Sequence, residues 1–282
     1  MRVLILGASG MLGHAVFQVL SQAAGLEVYG ASRSSVDLGA HGRERLRSGV
    51  DVLQPDDLHR AFAWARPDLV VNAVGLVKQL ENASDPLVTV PINTLLPHRL
   101  NQLCGVAGAR LVHVSTDCVF TGRKGGYTED DVTDALDLYG VSKRLGEVGG
   151  PHAITLRTSI IGRELRSRHA LVDWFLHAPQ TVSGYRKAVF SGLTTVELAK
   201  VIRDIVIPRP ELTGVQHVSV EPINKFDLLT LLNQTYDAGR TINPDDTLVI
   251  DRSLNSDRFR AATGYRPPSW PDMLAEMRAV QG

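Results

Sequence analysis

The chain opens on the apolar run Arg2-Val3-Leu4-Ile5-Leu6 and passes directly into Gly7-Ala8-Ser9-Gly10-Met11-Leu12-Gly13. Apolar residues then recur at helical spacing, at Leu12, Ala15, Val16, Val19, Leu20 and Ala23. A short continuous apolar run bounded by glycine reads as a strand buried on both faces, which is the habit of parallel sheets. Strand, glycine turn and amphipathic helix in that order leave few folds open, because the next strand must return parallel to the first by a right-handed crossover. The alternation continues. Residues 26–31, 50–53, 69–73, 110–115 and 153–157 read as further strands. Helices are predicted over 11–24, 55–64 and 136–148, with another from Pro91 to about Cys104 that Pro97 kinks or restarts. Connections this long exclude hairpins and imply an α/β, doubly wound parallel sheet.

The pattern loosens beyond residue 160. Helices are expected over 163–178, 195–206, 225–236 and 271–280, and strands over 215–220 and 247–250. The expected division is a Rossmann-like domain of residues 1–159 plus about 187–219, with a smaller C-terminal α/β lobe of about 160–186 plus 220–282. A chain of 282 residues can bury a sizeable core, and 44% hydrophobic against 21% charged residues excludes wholesale disorder. With 30 Lys and Arg against 30 Asp and Glu the net charge is zero, which argues against a nucleic-acid or polyanion partner. Arg43, Arg45 and Arg47 read as a solvated helix face. Cys104 and Cys118 form no CxxC pair or disulfide framework, and histidines such as His152 and His177 lack metal-ligand spacing. No signal-peptide pattern opens the chain and no apolar run reaches about 18 residues, so a cytoplasmic, membrane-free location is expected.

The glycine turn carries the first chemical signal. Gly7 permits a tight turn, Gly10 lets backbone approach a pyrophosphate, and Gly13 allows the helix to pack close on the sheet. Ser9, Met11 and Leu12 complete a turn whose helix N–H groups favour phosphate. About twenty residues further on, readers of NAD carry an acid for the ribose 2′-hydroxyl. Here Ser32 and Arg33 stand instead, a hydroxyl and a guanidinium suited to a 2′-phosphate. NADPH is therefore the expected cofactor, with NADH as the alternative.

The second signal is Tyr139-Gly140-Val141-Ser142-Lys143, which sets a phenol and an ammonium one helical turn apart. A tyrosine with a pKa of about 10 is a poor acid–base group near neutrality unless a cation favours its phenolate. Ser115 and Thr116, at the end of the preceding strand, can hydrogen-bond the same substrate oxygen. Together with Asn72-Ala73-Val74-Gly75 and Ser115-Thr116-Asp117, these segments resemble the extended short-chain dehydrogenase/reductases. Within that family the chain is most similar to the dTDP-4-dehydrorhamnose reductases, on Ser115–Phe120, Leu138–Lys143, Arg157-Thr158-Ser159 and the later Arg252-Ser253-Leu254-Asn255-Ser256. The resemblance is dense over residues 1–162 and thinner beyond.

That resemblance implies NADPH-dependent reduction of a 4-keto group on a nucleotide-activated 6-deoxysugar, in deoxysugar or polysaccharide biosynthesis. Tyr139 is then the proton donor, Lys143 holds the nicotinamide ribose and lowers the Tyr139 pKa, and Thr116, aided by Ser115, polarises the ketone. Asp51 and Val52 flank the adenine, and Asn72, Ala73, Val74 and Gly75 line the cofactor ribose. Cys118, Val119, Arg157 and Arg252 join Ser115, Thr116 and Tyr139 toward the sugar nucleotide, and a homodimer is plausible for the fold.

Cys118 departs from the pattern. Sugar-nucleotide 4,6-dehydratases carry Thr-Asp-Glu where this chain has Thr116-Asp117-Cys118, so dehydration is disfavoured. GDP-fucose synthases place a cysteine there and a histidine later, which leaves open an epimerase/reductase using Cys118 and His169. A non-catalytic dinucleotide-binding subunit, like the regulatory subunit of methionine adenosyltransferase, is a third reading.

Overall fold

The computed structural model describes residues 1–38, 44–77 and 81–281, so Arg43 lies outside the described residues. Its contacts divide the chain into two units. The first is Met1–Ser115, Asp137–Leu156 and Ala199–Val215; the second is Thr116–Leu136, Arg157–Leu198 and Gln216–Gly282. This division differs from the expected one at 116–136, 157–159, 187–198 and 216–219, which all fall in the second unit.

In the first unit the strands are β1 (Arg2–Leu6), β2 (Glu27–Ala31), β3 (Leu46–Arg47), β4 (Leu69–Asn72), β5 (Arg110–Thr116) and β6 (Ala153–Thr158). Across the sheet they run β6-β5-β4-β1-β2-β3, with Gly214–His217 added outside β6. The sheet is the parallel, doubly wound one that the sequence implies, with β1 pairing parallel to both β2 and β4. Val3, Leu4, Ile5 and Leu6 are wholly buried, as a central strand covered on both faces requires. The helices are α1 (Met11–Ser21), α2 (Pro55–Ala65), α3 (Pro86–Val90), α4 (Leu96–Ala107) and α5 (Leu138–Leu145). Leu4, Leu6, Leu58, Phe62, Leu100 and Leu111 meet in one core cluster, each worth about 1.5–3 kcal/mol when fully buried. Chain order reverses between β1 and β4, and ligands of such sheets bind at the carboxyl ends beside that reversal.

The third strand is not where the apolar pattern of 50–53 places it. Residues Leu46–Arg47 pair with Gly30 and Ala31 instead. Gly49 then turns the chain with φ +74°, and the Asp51 carboxylate accepts the Leu53 N–H at 3.0 Å, closing a local turn where a strand was expected. Arg47 belongs to this edge strand, not to a helix, and its guanidinium lies 5.8 Å from the Trp64 ring centre. The helix expected over 163–178 shrinks to Leu171–Leu176. From its first turn the Asp173 carboxylate accepts from Arg163 Nε at 2.8 Å and the Glu164 N–H at 2.5 Å, bonds that hold the preceding residues as a loop.

Pro97 acts as expected, with a consequence for α5. Residues Pro91–Leu95 widen into a π-turn and α4 restarts at Leu96. Proline lacks the N–H that would reach the Asn93 carbonyl one turn back. Gly146 packs against that carbonyl so closely that a Cβ there would overlap it. The Thr94 hydroxyl donates to the Ser142 carbonyl at 2.8 Å, which secures α5 on the same segment.

In the second unit, Thr181–Tyr185 pairs parallel with Thr241–Asp245, and Ala188–Phe190 lies between Ile223–Asn224 and Ile250–Asp251. The Thr241–Asp245 strand is hidden in the sequence by Asn243-Pro244-Asp245, which reads as a turn; a strand at a sheet edge tolerates the proline. Helices Lys225–Tyr236, Asp257–Thr263 and Trp270–Gln281 complete the unit. No helix among the described residues is long and apolar enough to cross a membrane.

Gly146→Ala is expected to destabilise the protein by about 1–3 kcal/mol through this overlap, read as a lower urea midpoint at unchanged m-value.

Candidate active site

The glycine turn after β1 is built by backbone. Gly7, at φ +83°, and Ala8 both donate to the Ala31 carbonyl, at 2.9 and 3.1 Å. A Cβ on Gly13 would overlap the Gly7 carbonyl oxygen, so α1 can lie this close only with glycine there. Gly10 is the N-cap of α1 and offers no capping side chain, and the first turn holds no acid. Ser9 and Met11 are half-buried while Leu12 and Gly13 are buried, which leaves backbone N–H groups as the polar surface of the turn. These residues fit a dinucleotide pyrophosphate.

The neighbouring loops are arranged around that turn. Gly7 meets the chain after β4, since a Cβ built on it would lie 3.0 Å from Val74 Cγ2 and 3.1 Å from the Ala73 carbonyl. Asn72 is buried; its Oδ1 accepts the Val74 N–H at 3.2 Å and its Nδ2 donates to His113 Nδ1 at 3.1 Å. At the end of β2 the buried Ser32 hydroxyl donates to the Ser34 carbonyl at 2.7 Å, while Arg33 is exposed. The Ser32 carbonyl accepts from Val50, and Asp51 and Val52 follow half-buried in the turn described above.

On α5, the Asp137 carboxylate caps the helix by accepting the Gly140 N–H at 2.9 Å. Tyr139 is half-buried one turn before Lys143, which is 6% exposed. Lys143 Nζ donates to the Val114 carbonyl near the end of β5 at 2.8 Å. Burial lowers the Lys143 ammonium to about 8, with the Glu147 carboxylate acting in the opposite sense. A Cβ built on Gly75 would stand 3.9 Å from Lys143 Nζ, so the loop after β4 passes beside the ammonium. The Ser115 hydroxyl donates to Glu147 Oε1 at 2.7 Å. The first unit thus brings the glycine turn, Asn72 to Gly75, Lys143 and Ser115 into one connected set.

Two members of that set carry no motif in the sequence. Asn93 accepts the Leu76 N–H at 2.9 Å and donates to Ser142 Oγ at 3.3 Å, joining the loop after β4 to α5. Glu147 engages Ser115 from 32 positions away. Neither pairing has a local periodicity that could reveal it.

In the second unit, Thr116 Oγ1 accepts the Cys118 N–H at 3.1 Å and bonds Asp117 Oδ1 at 3.2 Å. Asp117 is buried, and burial raises its pKa against the pull of Arg252 and Lys225. Burial, and then the Asp117 charge, push the Cys118 thiol up to about 12. Arg252 Nε donates to the Phe120 carbonyl at 2.9 Å. Lys225, which the sequence does not single out, lies 3.7 Å from the Phe190 ring centre and is lowered to about 8 by burial.

Val119 is wholly buried with Phe120, Tyr127 and Leu254, so its side chain belongs to a core cluster. Arg157 is also buried; its Nη1 donates to His217 Nε2 at 2.8 Å and its guanidinium lies 5.2 Å from the Phe120 ring centre. It serves there as an internal tie. His169 is exposed on the loop before Leu171–Leu176, and among the described residues no hydrogen bond joins it to Cys118.

A sequence profile for the RmlD substrate binding domain matches residues 1–181. The chain belongs to this family. It is 33% identical over 300 residues to the spore coat polysaccharide biosynthesis protein SpsK of Bacillus subtilis, covering 98% of this chain and 96% of that one. It is 35% identical over 147 residues to a dTDP-4-dehydrorhamnose reductase of Streptomyces griseus, covering 52% of this chain and 43% of that protein. The rat methionine adenosyltransferase 2 subunit beta is 29% identical over 146 residues, 52% of this chain and 41% of that protein. The chain therefore spans less than half the length of these last two relatives. The solved dTDP-4-dehydrorhamnose reductase of Bacillus anthracis, in complex with NADP, shares the fold with a TM-score of 0.79 at 20% identity, covering 99% of this chain and 98% of that one.

A thiol at about 12 is ionised to only about one part in ten thousand at about pH 8. Iodoacetamide at that pH is expected to leave Cys118 largely unmodified in the folded protein; alkylation at the rate of a free thiol would contradict this environment.

Proposed function

We propose that the protein reduces the 4-keto group of a nucleotide-activated 6-deoxysugar with NADPH, within deoxysugar or polysaccharide biosynthesis. The observation that carries this reading is the buried Lys143 ammonium on the Val114 carbonyl, one helical turn after Tyr139. Family membership supports it, as do the names of the Streptomyces griseus and Bacillus subtilis relatives and the NADP in the Bacillus anthracis structure.

Bound NADPH supplies the hydride. In this reading the Gly7 to Gly13 turn receives the pyrophosphate, Ser32 and Arg33 the 2′-phosphate, Asp51 and Val52 the adenine, and Asn72 to Gly75 the ribose. Tyr139 gives its phenolic proton to the carbonyl oxygen as that oxygen becomes an alkoxide. The Lys143 ammonium favours the phenolate left behind and keeps protons for the ribose hydroxyls. Lys143 serves only while charged, so activity falls as pH rises through about 8. In this reading Thr116, aided by Ser115, polarises the ketone; in the structure the two hydroxyls donate to Asp117 and Glu147 respectively. The second unit, with Arg252 and the Thr116–Cys118 segment, takes the sugar nucleotide. The Cys118 thiol at about 12 favours plain reduction over the epimerase/reductase reading.

Absorbance of NADPH, followed with an enzymatically made dTDP-4-keto-6-deoxy-L-sugar, tests the assignment. Tyr139→Phe is expected to lower kcat at least about 100-fold while NADPH affinity stays within about threefold. Wild-type protein that binds NADPH tightly but turns over no keto sugar would move the assignment to a non-catalytic dinucleotide-binding subunit. Arg33→Ala is expected to weaken NADPH binding and leave NADH binding unchanged, by titration; equal effects on both would remove the 2′-phosphate role.

A further inference from the structure

Glu147 stands where local rules disfavour it. It follows the Gly146 cap of α5, its N–H donating to the Arg144 carbonyl at 3.2 Å, so it stands at the negative end of the helix dipole. A carboxylate there costs stability unless something else holds it. The Ser115 hydroxyl does so at 2.7 Å, and Ser115 is 5% exposed. Lys143, one turn earlier, reaches the carbonyl of Val114, the residue just before Ser115, at 2.8 Å. Two groups four residues apart thus grip two consecutive residues at the end of β5, one donating to the strand and one accepting from it.

We propose that Glu147 is a positioning residue for the Tyr139/Lys143 pair: it ties the Ser115 end of β5 to α5 and supplies the countercharge for the Lys143 ammonium. The proposal deepens the reductase reading and rests on it for its catalytic meaning. The groups around Lys143 make the countercharge necessary. Tyr139 lies one turn back on the same helix, and His113 faces it from β5. His113 is wholly buried and its pKa is held well below 6.5, by burial first and then by the Lys143 charge, so it stays neutral and provides no negative charge. Gly75, whose Cβ would lie 3.9 Å from Lys143 Nζ and 3.6 Å from Asn93 Oδ1, and Asn93 are uncharged. Among the described residues, Glu147 is the carboxylate that acts against burial of this ammonium.

Competitive acetylation with acetic anhydride across pH, read by peptide mass spectrometry, follows the charge of Lys143 without any turnover. The wild-type midpoint is expected at about 8. Glu147→Gln keeps an acceptor for Ser115 but removes the charge, and is expected to lower the midpoint by about one pH unit. Glu147→Asp keeps the charge and is expected to stay close to wild type. A Glu147→Gln midpoint equal to wild type would overturn the proposal. Should Glu147→Gln fail to fold, Ser115→Ala replaces it: with the carboxylate released from β5 the midpoint moves the same way by a smaller amount, and an unchanged midpoint again overturns the proposal. In the active enzyme the alkaline limb of the pH profile should shift with the labelling midpoint. Wild-type protein that reduces no keto sugar refutes the reductase reading and leaves the labelling result decisive for Glu147.

Discussion

An ammonium taken out of water is the constraint on which the first unit's site depends. Burying Lys143 disfavours its charge, and a protein keeps such a group charged only by supplying fixed acceptors nearby. The Val114 carbonyl accepts from the ammonium and the Glu147 carboxylate, held by Ser115, favours its charge; both stand there because β5 ends where α5 passes. The same low-polarity surroundings strengthen each of these interactions beyond its value in water. A buried cation thereby fixes a strand end, a helix and a loop.

The remainder of the first unit relies on close backbone approach. Gly13 lets α1 lie against the Gly7 carbonyl, and Gly146 lets α5 lie against the Asn93 carbonyl. The second approach has a cause in α4, where Pro97 has no N–H to give the Asn93 carbonyl one turn back. Thr94 and Asn93 then bond Ser142, so the helix bearing Tyr139 and Lys143 is located by the same segment that carries the proline. Side chains that perform chemistry need supports of this kind, because a small displacement of a proton donor is costly.

Much of the fold is legible in order. β1, β4 and β5 appear as apolar runs because they are covered on both faces, and the Tyr139/Lys143 pair appears because helical spacing is a property of sequence alone. β3 is missed because an edge strand needs little apolar surface: Leu46–Arg47 is half-buried, whereas the apolar Val50 after it joins the core cluster from a turn. The expected role of Val119 toward the sugar gives way to a core position, and that of Arg157 to a bond with His217. A sequence motif names a residue type, while exposure is decided by what packs over it.

The sequence by itself determined the parallel sheet, the glycine turn at the carboxyl end of β1, and a phenol and an ammonium on one face of α5. These follow from periodicity and backbone sterics, which act over a few residues. Only the tertiary structure decided which distant groups partner the polar side chains. Glu147 with Ser115, Asn93 with Leu76 and Ser142, and Lys225 with Phe190 are partners far apart along the chain. Electrostatic and hydrogen-bond energies depend on distance in space, and that distance exists only once the chain has folded.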